Sequence, residues 1–345
     1  MKIFYSEKHR DHYPPYEVFD GGKRVEYFEN PDRMDRILSA LRKTDWAELT
    51  EPSDFGLDPI LAVHDRDYIN FLASCWTEWL ASDPEVAAAP EQHAFLPATF
   101  ALRRQARPTR SLHGRGGYYM MDLSACIVAG TYNAALASAN CALNAANEVY
   151  KNQQSAFGLC RPPGHHAGKD YAGGYCFVNN ASVAANWLSS KGKVAVLDID
   201  YHAGNGTQDI FYERSDVLTI SIHGDPDYEY PHYAGFADET GAGEGLGFHK
   251  NFPLAKATGD EGYLAALDEA LEMIRKFAPT YLVLSTGMDT FDSDPLGKFH
   301  VTREGFAEIG KRIAGLNLPT AVIMEGGYAN EALGINVVTL LESFK

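Results

Sequence analysis

The sequence lacks the features that mark membrane-spanning, secreted and nucleic-acid-binding proteins. No stretch reaches about 18 consecutive apolar residues, and the N-terminus has no apolar run of signal-peptide length. Basic residues are scarce, with 30 Lys and Arg against 46 Asp and Glu, and the net charge of −16 disfavours binding of nucleic acid through the whole surface. We expect a soluble, cytoplasmic protein with no membrane or nucleic-acid partner, which tolerates a cationic ligand.

Cysteines are also few, and none forms a CxxC pair. Because their number is odd and their spacing wide, a disulfide framework and a cysteine-based zinc site are both disfavoured. Internal repeats and low-complexity linkers are missing, and the 45% hydrophobic and 22% charged composition excludes disorder as the main state. A length of 345 residues fits either two domains or one large α/β domain. The five cysteines are Cys75, Cys126, Cys141, Cys160 and Cys176.

Short apolar runs alternate with longer helical patterns from about residue 129 onward. This alternation predicts an α/β fold with an open parallel sheet and helices on both faces. In such sheets, ligands bind outside the carboxyl ends of the strands. Helices are predicted over 129–150, 181–190, 262–277, 302–316 and 330–342, and strands over 155–160, 193–199, 216–222, 281–285 and 320–324.

Chemically suggestive residues follow four of the predicted strands. Loops after strands attract polar residues in any case, so one such position would mean little. Four together predict a site at this edge of the sheet. The residues are Asp198, Asp200 and His202 after one strand, His223 after another, Asp289 after a third, and Glu325–Tyr328 after a fourth.

The run from Asp198 to His202 is the strongest local signal for a metal. Residues two apart point to the same side of a strand, so Asp198, Asp200 and His202 can share one side. Buried carboxylates and an imidazole need partners or a cation, and a divalent metal would satisfy them. Asp289 would complete a set of two Asp and one His with open coordination. The alternative is capping, either of a helix near Asn205 or of the loop after Asp289.

Two adjacent histidines, His165 and His166, follow a Pro-Pro-Gly turn. One can act as general base toward the attacking water and the other as an electrostatic or acid partner. Each needs an acceptor that fixes its tautomer, and Asp198 and Asn205 are candidates. Because a carboxylate raises the basicity of an imidazole more than an amide does, the two pKa values should differ. The alternative is a surface histidine pair.

Tyr328 follows two glycines after the last predicted strand. Gly326 and Gly327 permit a turn that brings the tyrosine hydroxyl into the site, where it could donate a hydrogen bond to a developing oxyanion. Tyrosine is abundant in this chain, with 19 residues, so this position alone is a weak signal.

The stretch from about residue 80 to 120 has poor periodicity and is rich in arginine. One interpretation is a solvated surface insertion. Another is a loop that covers the active site or docks a second subunit. A nucleic-acid patch is a third, but no aromatic residues interleave with the arginines. The arginines are Arg103, Arg104, Arg107, Arg110 and Arg115.

Six ordered motifs resemble those of the arginase/deacetylase superfamily. They are RPPGHH, GGYCFVNNA, VLDIDYHAGNGTQDIF, ISIHGDP, STGMDTFDSDPLG and MEGGY. They are most similar to zinc-dependent deacetylases of the histone-deacetylase type, and within these to bacterial acetylpolyamine amidohydrolases. The resemblance runs from about residue 125 to the C-terminus and is weaker in the first 75 residues. It implies a single α/β domain over residues 1–345, an eight-stranded parallel sheet, and amide hydrolysis that releases acetate.

The resemblance also implies roles for individual residues. It implies one zinc ion per chain on Asp200, His202 and Asp289, with Fe(II) and Co(II) as alternatives for this donor set. It makes His165 and His166 the acid-base pair, with Asp198 and Asn205 as their partners. Tyr328 corresponds to the tyrosine that polarises the substrate carbonyl.

Further positions correspond to a monovalent-cation site and to the substrate channel. A structural K⁺ is implied at Asp198, Asp200, His202, Ser221 and Ile222, and a second, less secure site at Phe211, Arg214 and Val217. Tyr175, Tyr230 and Gly174 match the channel lining, and Asp122 and Glu91 are candidates to contact a cationic acylamine. In the enzymes that it resembles, an insertion like residues 80–120 forms a homodimer interface and narrows the tunnel entrance.

Three alternatives remain beside a polyamine deacetylase. An arginase-like site with two metal ions would need Asp where Gly204 and Phe291 stand, which disfavours it. A protein-lysine deacetylase would use the same chemistry, and access to the channel would separate the two. A catalytically silent protein that binds small molecules is disfavoured, since every catalytic position holds a competent residue.

Overall fold

The strands form one parallel sheet and a separate hairpin. A computed structural model of the chain describes residues 1–19, 22–102 and 106–345. Among these residues, eight strands pair in the order β4-β1-β5-β10-β9-β6-β7-β8, all parallel, and β2 pairs with β3 in an antiparallel hairpin. The strands are β1 Lys2–Phe4, β2 Glu17–Phe19, β3 Lys23–Val25, β4 Glu48–Thr50, β5 Ala156–Gly158, β6 Val194–Asp198, β7 Val217–Gly224, β8 His249–Leu254, β9 Tyr281–Thr286 and β10 Thr320–Met324.

Helices cover both faces of this sheet. Every residue of β6, β7, β9 and β10 is buried, as expected of parallel strands that are covered on both sides. Within the described residues, none of the helices combines the length and the apolar character that crossing a bilayer requires. The helices are α1 Asp32–Leu41, α2 Asp58–Leu61, α3 Arg66–Ser82, α4 Pro84–Ala88, α5 Leu112–Tyr119, α6 Thr131–Asn152, α7 Asn180–Ser189, α8 Asn205–Phe211, α9 Asp260–Phe277, α10 Arg303–Ala314 and α11 Asn330–Leu341.

The predicted elements from residue 129 onward are all present, and their ends differ by a few residues. Capping explains two of the helix starts: the Asn179 side chain accepts a hydrogen bond from Ser182 N–H, and Thr302 accepts one from Gly305 N–H. The sequence did not indicate β1, β4 and β8. The first two have only three residues each, and β8 lies at the sheet edge, where a proline and polar side chains are tolerated.

The 80–120 stretch contains two helices and a buried part of the core, which its poor periodicity did not indicate. Helices α4 and α5 lie within it, and Phe95 is fully buried in a second apolar cluster with Phe71 and Tyr119. Arg115 pairs with Glu78 of α3. Arg107 and Arg110 are exposed, whereas Arg103 and Arg104 lie outside the described residues.

Four neighbouring strands bring the predicted site residues together. Strands β5, β10, β9 and β6 are adjacent in the sheet. Their carboxyl ends lead to the histidine pair, Tyr328, Asp289 and the Asp200–His202 segment, respectively. Because parallel strands end at the same edge, residues that are distant in sequence meet in one row.

Candidate active site

Asp200, His202 and Asp289 converge at the ends of β6 and β9. The Nδ1 atom of His202 lies 3.2 Å from Oδ1 of Asp200 and 3.2 Å from Oδ2 of Asp289. Main-chain N–H groups fix both carboxylates: Gly326 N–H donates to Asp200 Oδ2 at 2.9 Å, and Tyr201 N–H donates to Asp289 Oδ1 at 2.9 Å. Both carboxylates are fully buried. Because these N–H groups fix one oxygen of each carboxylate, the other oxygen of each lies next to the His202 ring.

These three side chains shift one another's pKa values. Burial, reinforced by the charge of Asp200, raises the pKa of Asp289 to about 7. Burial alone would lower the pKa of His202, but the two carboxylates outweigh it and raise that pKa to about 10. Two carboxylate oxygens and one imidazole nitrogen are ligands that zinc-class ions accept, so the residues present fit one divalent ion.

Close backbone approach keeps this site compact. A Cβ atom on Gly287 would lie 2.0 Å from Asp200 Oδ2, and one on Gly326 would lie 2.5 Å from Asp289 Oδ2. Any side chain at either position would displace a carboxylate, which explains the glycines beside the two acidic residues.

A second group of potential ligands is fully buried and consists of His165, Cys176 and Glu325. Its atoms already have other partners. Cys176 contacts the carbonyl of Gly174 at 3.2 Å, and Glu325 Oε2 accepts from the N–H groups of Gly164 and His165 at 2.6 and 3.1 Å. These contacts give the group a structural role in holding the histidine turn.

The two histidines have different partners, as the sequence predicts. His165 Nδ1 lies 2.9 Å from Asp198 Oδ2, and His166 Nδ1 lies 2.7 Å from Asn205 Oδ1. Burial opposes a charge on His165, but Asp200 and Asp198 outweigh it and raise the pKa of His165 to about 10. Burial, together with the nearby His165 and His202, holds the pKa of His166 well below its ordinary value.

Tyr328 lines the same pocket as His165 and His166. Among the described residues, none forms a hydrogen bond with the Tyr328 hydroxyl. Burial raises the pKa of Tyr328 well above its ordinary value, so the phenol keeps its proton. Arg33 lies over the ring at 4.8 Å and donates to the carbonyls of Gly327 and Glu325 at 2.7 Å each.

A pocket of about 760 Å³ opens above these residues. Tyr175 and Tyr230 form its walls, and each hydroxyl is bound to a carboxylate: Tyr175 donates to Glu17 at 2.7 Å and Tyr230 donates to Asp122 at 2.6 Å. Gly174 lines the pocket at φ +52°, where a Cβ atom would lie 2.2 Å from the His166 ring. Phe100 from the 80–120 stretch also reaches the pocket.

Other predicted residues lie outside the pocket. Glu91 is exposed on the surface and does not line it. His223 is buried in β7, with Nδ1 2.7 Å from Ser221 Oγ and Nε2 2.9 Å from the Gly235 carbonyl, so its expected place at the site is wrong. Of the predicted cation-site residues, Ser221, Ile222 and Val217 lie in β7, Phe211 ends α8, and Arg214 follows it and pairs with Asp216.

Four residues near the site had no role assigned from the sequence. Glu325 belongs to the MEGGY motif, and Asp294 belongs to a turn-like segment. The sequence therefore indicated that both lie near the site, but it did not indicate which groups they bind. Glu17 and Arg33 come from the first 40 residues, where the motifs are weak. Arg33 lies among the buried residues of α1. An arginine between the apolar residues of this helix was the feature of the sequence that could have indicated a buried acidic partner.

The arginase alternative conflicts with the space at the site. A Cβ atom on Gly204 would lie 2.4 Å from Asp198 Oδ2, which leaves no room for a carboxylate there. The Phe291 ring stacks on Phe306 with an interplanar angle of 27°. Gly204 and Phe291 therefore offer no side-chain ligand to a second metal ion.

Comparisons with known proteins agree with this geometry. Residues 27–343 match the histone deacetylase domain. Acetylpolyamine amidohydrolase 1 of Pseudomonas aeruginosa is 46% identical over 100% of this chain and 99% of its own length. Acetylpolyamine amidohydrolase of Mycoplana ramosa is 41% identical over 99% of each chain.

Solved structures extend the likeness to the fold. Acetylpolyamine aminohydrolase from Burkholderia pseudomallei superposes with a TM-score of 0.94 at 39% identity, covering 100% of this chain and 98% of that one. The HDA15 HD domain superposes with a TM-score of 0.78 at 25% identity, covering 99% of this chain and 87% of that one. The chain therefore belongs to the histone deacetylase family and is a hydrolase that acts on amide bonds.

Proposed function

We propose that this protein hydrolyses N-acetylated polyamines, or related small acylamines, to the free amine and acetate. The observation that carries the proposal is the acidic wall of the pocket. Beyond the candidate metal ligands, Glu17 and Asp122 line it, together with Glu229, which pairs with Lys256 at 2.9 Å, and with Lys298 as a cationic neighbour. A slender cation is the substrate that such a wall attracts. The amidohydrolase relatives, named for acetylpolyamines, support the same substrate class.

Asp200, His202 and Asp289 would hold one divalent ion, with zinc as the family expectation and Fe(II) or Co(II) as alternatives. When bound, an ion of this class lowers the pKa of a coordinated water and polarises the amide carbonyl. The main-chain donors at Gly326 and Tyr201 keep the two carboxylates oriented.

The histidines divide the proton transfers. His166 Nδ1 donates to Asn205 Oδ1, so its neutral Nε2 carries the lone pair that accepts a proton from the attacking water. His165, held by Asp198, stays cationic and stabilises the negative charge that develops on the substrate. The proton on His166 then passes to the departing amine nitrogen as the amide C–N bond breaks.

Tyr328 supplies the hydrogen bond to the substrate carbonyl oxygen. Its hydroxyl is protonated and faces the pocket, and a donor placed in advance stabilises the oxyanion without reorganisation. The Tyr175 and Tyr230 rings line the channel that would take the acylamine chain.

A second copy of the chain would complete the entrance. Phe100 lines the pocket, while Leu102 is 90% exposed and Arg107 and Arg110 extend into solvent. We assign this surface to a homodimer contact, in which the arginines meet acidic groups of the twin subunit. A structural K⁺ beside Asp198 and Ser221 belongs to the same proposal.

A substrate panel tests the function. Initial rates would be measured with acetylputrescine, acetylcadaverine, acetylspermidine and an acetyl-lysine peptide, with the Asp289→Asn protein as the blank for contaminating activity. We expect the small acetylated amines to have the higher kcat/KM. A higher kcat/KM for the peptide, or for a folded acetylated protein, would support the protein-lysine deacetylase instead.

A further inference from the structure

Four main-chain N–H groups converge on the carboxylate of Asp294. Tyr328 N–H and Ala329 N–H donate to Oδ2 at 2.6 and 2.8 Å. Leu296 N–H and Gly297 N–H donate to Oδ1 at 2.9 and 3.3 Å. Asp294 is 6% exposed, so these bonds lie out of water.

This carboxylate joins the two loops on which the site depends. Residues 294–297 belong to the loop after β9, which also carries Asp289, and Tyr328 belongs to the loop after β10. Asp294 does not line the pocket and has no place in the proton transfers. Two of its hydrogen bonds hold the backbone of Tyr328 and Ala329, and the other two stay within its own loop, at Leu296 and Gly297.

The loop after β10 is restrained by contacts from outside it, among them Gly326 N–H to Asp200 Oδ2 at 2.9 Å and Met288 N–H to the Gly326 carbonyl at 2.9 Å. Gly326 and Gly327 precede Tyr328, and Gly327 has φ +123°, a conformation that L side chains rarely adopt. Consecutive glycines leave the unrestrained backbone many conformations, so their position must be imposed from outside. Arg33 holds the carbonyls of Glu325 and Gly327, and Asp294 holds the N–H groups of the two residues that follow.

We infer that Asp294 is a positioning residue that sets the place of the Tyr328 hydroxyl at the substrate carbonyl. The inference rests on the proposed function, since it assigns the same oxyanion donor. A carboxylate suits this role because its two oxygens only accept hydrogen bonds and offer about four lone-pair directions, one for each N–H group. An asparagine would turn its own NH₂ group toward one pair of donors.

The experiment is a double-mutant cycle on the metal-loaded protein. Asp294→Asn is made in the wild-type and Tyr328→Phe backgrounds, and kcat and KM are measured on the best substrate of the panel. In the wild-type background we expect kcat to fall about 10- to 100-fold with little change in KM, since small misplacement of a reacting group has costs of this size. In the Tyr328→Phe background, the further fall should be less than about threefold.

Amide hydrogen exchange supplies a readout that does not need turnover. We expect faster exchange at Tyr328 and Ala329 in Asp294→Asn and unchanged exchange in β6. Asp260→Asn is the matched control, because Asp260 also accepts from a loop N–H group, that of Thr302 at 2.8 Å, but lies away from the pocket. It should leave kcat unchanged. If Asp294→Asn fails to fold, Asp294→Ser leaves room for water at the same N–H groups.

Equal losses of kcat in the two backgrounds, or unchanged exchange at Tyr328 and Ala329, would overturn the inference. Failure of the proposed function looks different. If the acetyl-lysine peptide is the better substrate, the polyamine assignment fails, and the cycle is run on that peptide. If no amide is hydrolysed, hydrogen exchange alone decides the role of Asp294.

Discussion

His165 and His166 are neighbours on one turn, yet their surroundings favour opposite protonation states. The difference comes from burial of both rings and from the carboxylates near His165, which are Asp200 and its Nδ1 partner Asp198, whereas the Nδ1 partner of His166 is an amide. The sequence contained Asp198 and Asn205, so the direction of the difference in pKa could be predicted. The size of the difference could not, because it depends on the full burial of both rings.

Tyr328→Phe isolates the oxyanion donor. Removing one donor of this kind lowers kcat on the order of 10²–10³-fold. We expect unchanged metal content and nearly unchanged KM, because the ring remains in place between Tyr175 and Arg33. Steady-state kinetics with elemental analysis provide the measurement, and near-full turnover of the variant would remove Tyr328 from the mechanism.

Asp289→Asn tests the metal centre. A neutral amide is a poorer ligand than a carboxylate, so the variant should lose most of its bound ion and most of its activity. Elemental analysis of the purified proteins measures the loss. Asp292→Asn is the control, since Asp292 is exposed and pairs with His300. Two ions per active wild-type chain would contradict the single-ion site.

The protonation state of Glu17 predicts that substrate binding depends on pH. Burial raises the pKa of Glu17 from 4.5 to about 7, although hydrogen bonds from Phe28 N–H and Tyr175 lower it. Glu17 is therefore mostly neutral at pH 6 and mostly a carboxylate at pH 8. We expect KM for an acetylated diamine to be lower at pH 8 than at pH 6, and this difference to shrink in Glu17→Gln. An identical pH profile in the two proteins would mean that Glu17 does not contact the cation.

At the scale of elements, the site depends on bonds between the loops that follow neighbouring strands. Glu325, at the end of β10, accepts from Gly164 N–H and His165 N–H of the turn after β5, and Ser285 Oγ of β9 donates to its other oxygen at 2.8 Å. One buried side chain thus fastens three adjacent strand ends. Glu325 therefore holds the turn that carries His165 and His166.

Substitution of Glu325 tests this connection. Glu325→Ala leaves two buried N–H groups without an acceptor, and each such group costs about 1–3 kcal/mol. We expect the free energy of unfolding in urea to fall by about 2–6 kcal/mol. Glu325→Gln should lose less, because its carbonyl can accept from the two N–H groups while its amide donates to Ser285. Equal losses in the two variants would show that packing, not hydrogen bonding, is what Glu325 provides.

Whether a strand could be predicted from the sequence depends on how that strand is buried in the sheet. Strands β6, β9 and β10 are buried on both faces and read as continuous apolar runs, so the sequence indicated them. Strand β8 pairs on one side only, and its HKNFPL sequence carries no such pattern. Asp294 and Glu17 were missed for a related reason: their partners are main-chain N–H groups and a distant tyrosine hydroxyl, which leave no mark in nearby sequence.

For the whole molecule, the 80–120 stretch links the pocket with the outer surface. It contributes Phe95 to the core and Phe100 to the pocket, and it leaves Leu102 exposed. Deleting the whole stretch would therefore also remove part of the core. The exposed arginines are better targets for testing assembly.

Arg107→Glu with Arg110→Glu tests the proposed dimer. Both side chains are exposed, so the double substitution should leave the fold intact while it reverses the charge offered to an acidic twin subunit. Sedimentation velocity should show a dimer for the wild type and monomers for the variant. The variant should also discriminate less between acetylputrescine and an acetyl-lysine peptide. A monomeric wild type would contradict the proposal.

β10 lies between two groups of strands in the sheet: among the described strands, it pairs with β5 on one side and with β9 on the other. Asp200, His202 and Asp289 follow strands of the group β9-β6-β7-β8, whereas His165 and His166 follow β5 of the group β4-β1-β5. The loop after β10 bonds to both groups, since Gly326 N–H donates to Asp200 Oδ2 and the Glu325 side chain accepts from Gly164 N–H and His165 N–H. A shift of β10 relative to either neighbour would therefore change the spacing between the candidate metal ligands and the histidine pair. The alignment of the whole site thus depends on the register of this one central strand.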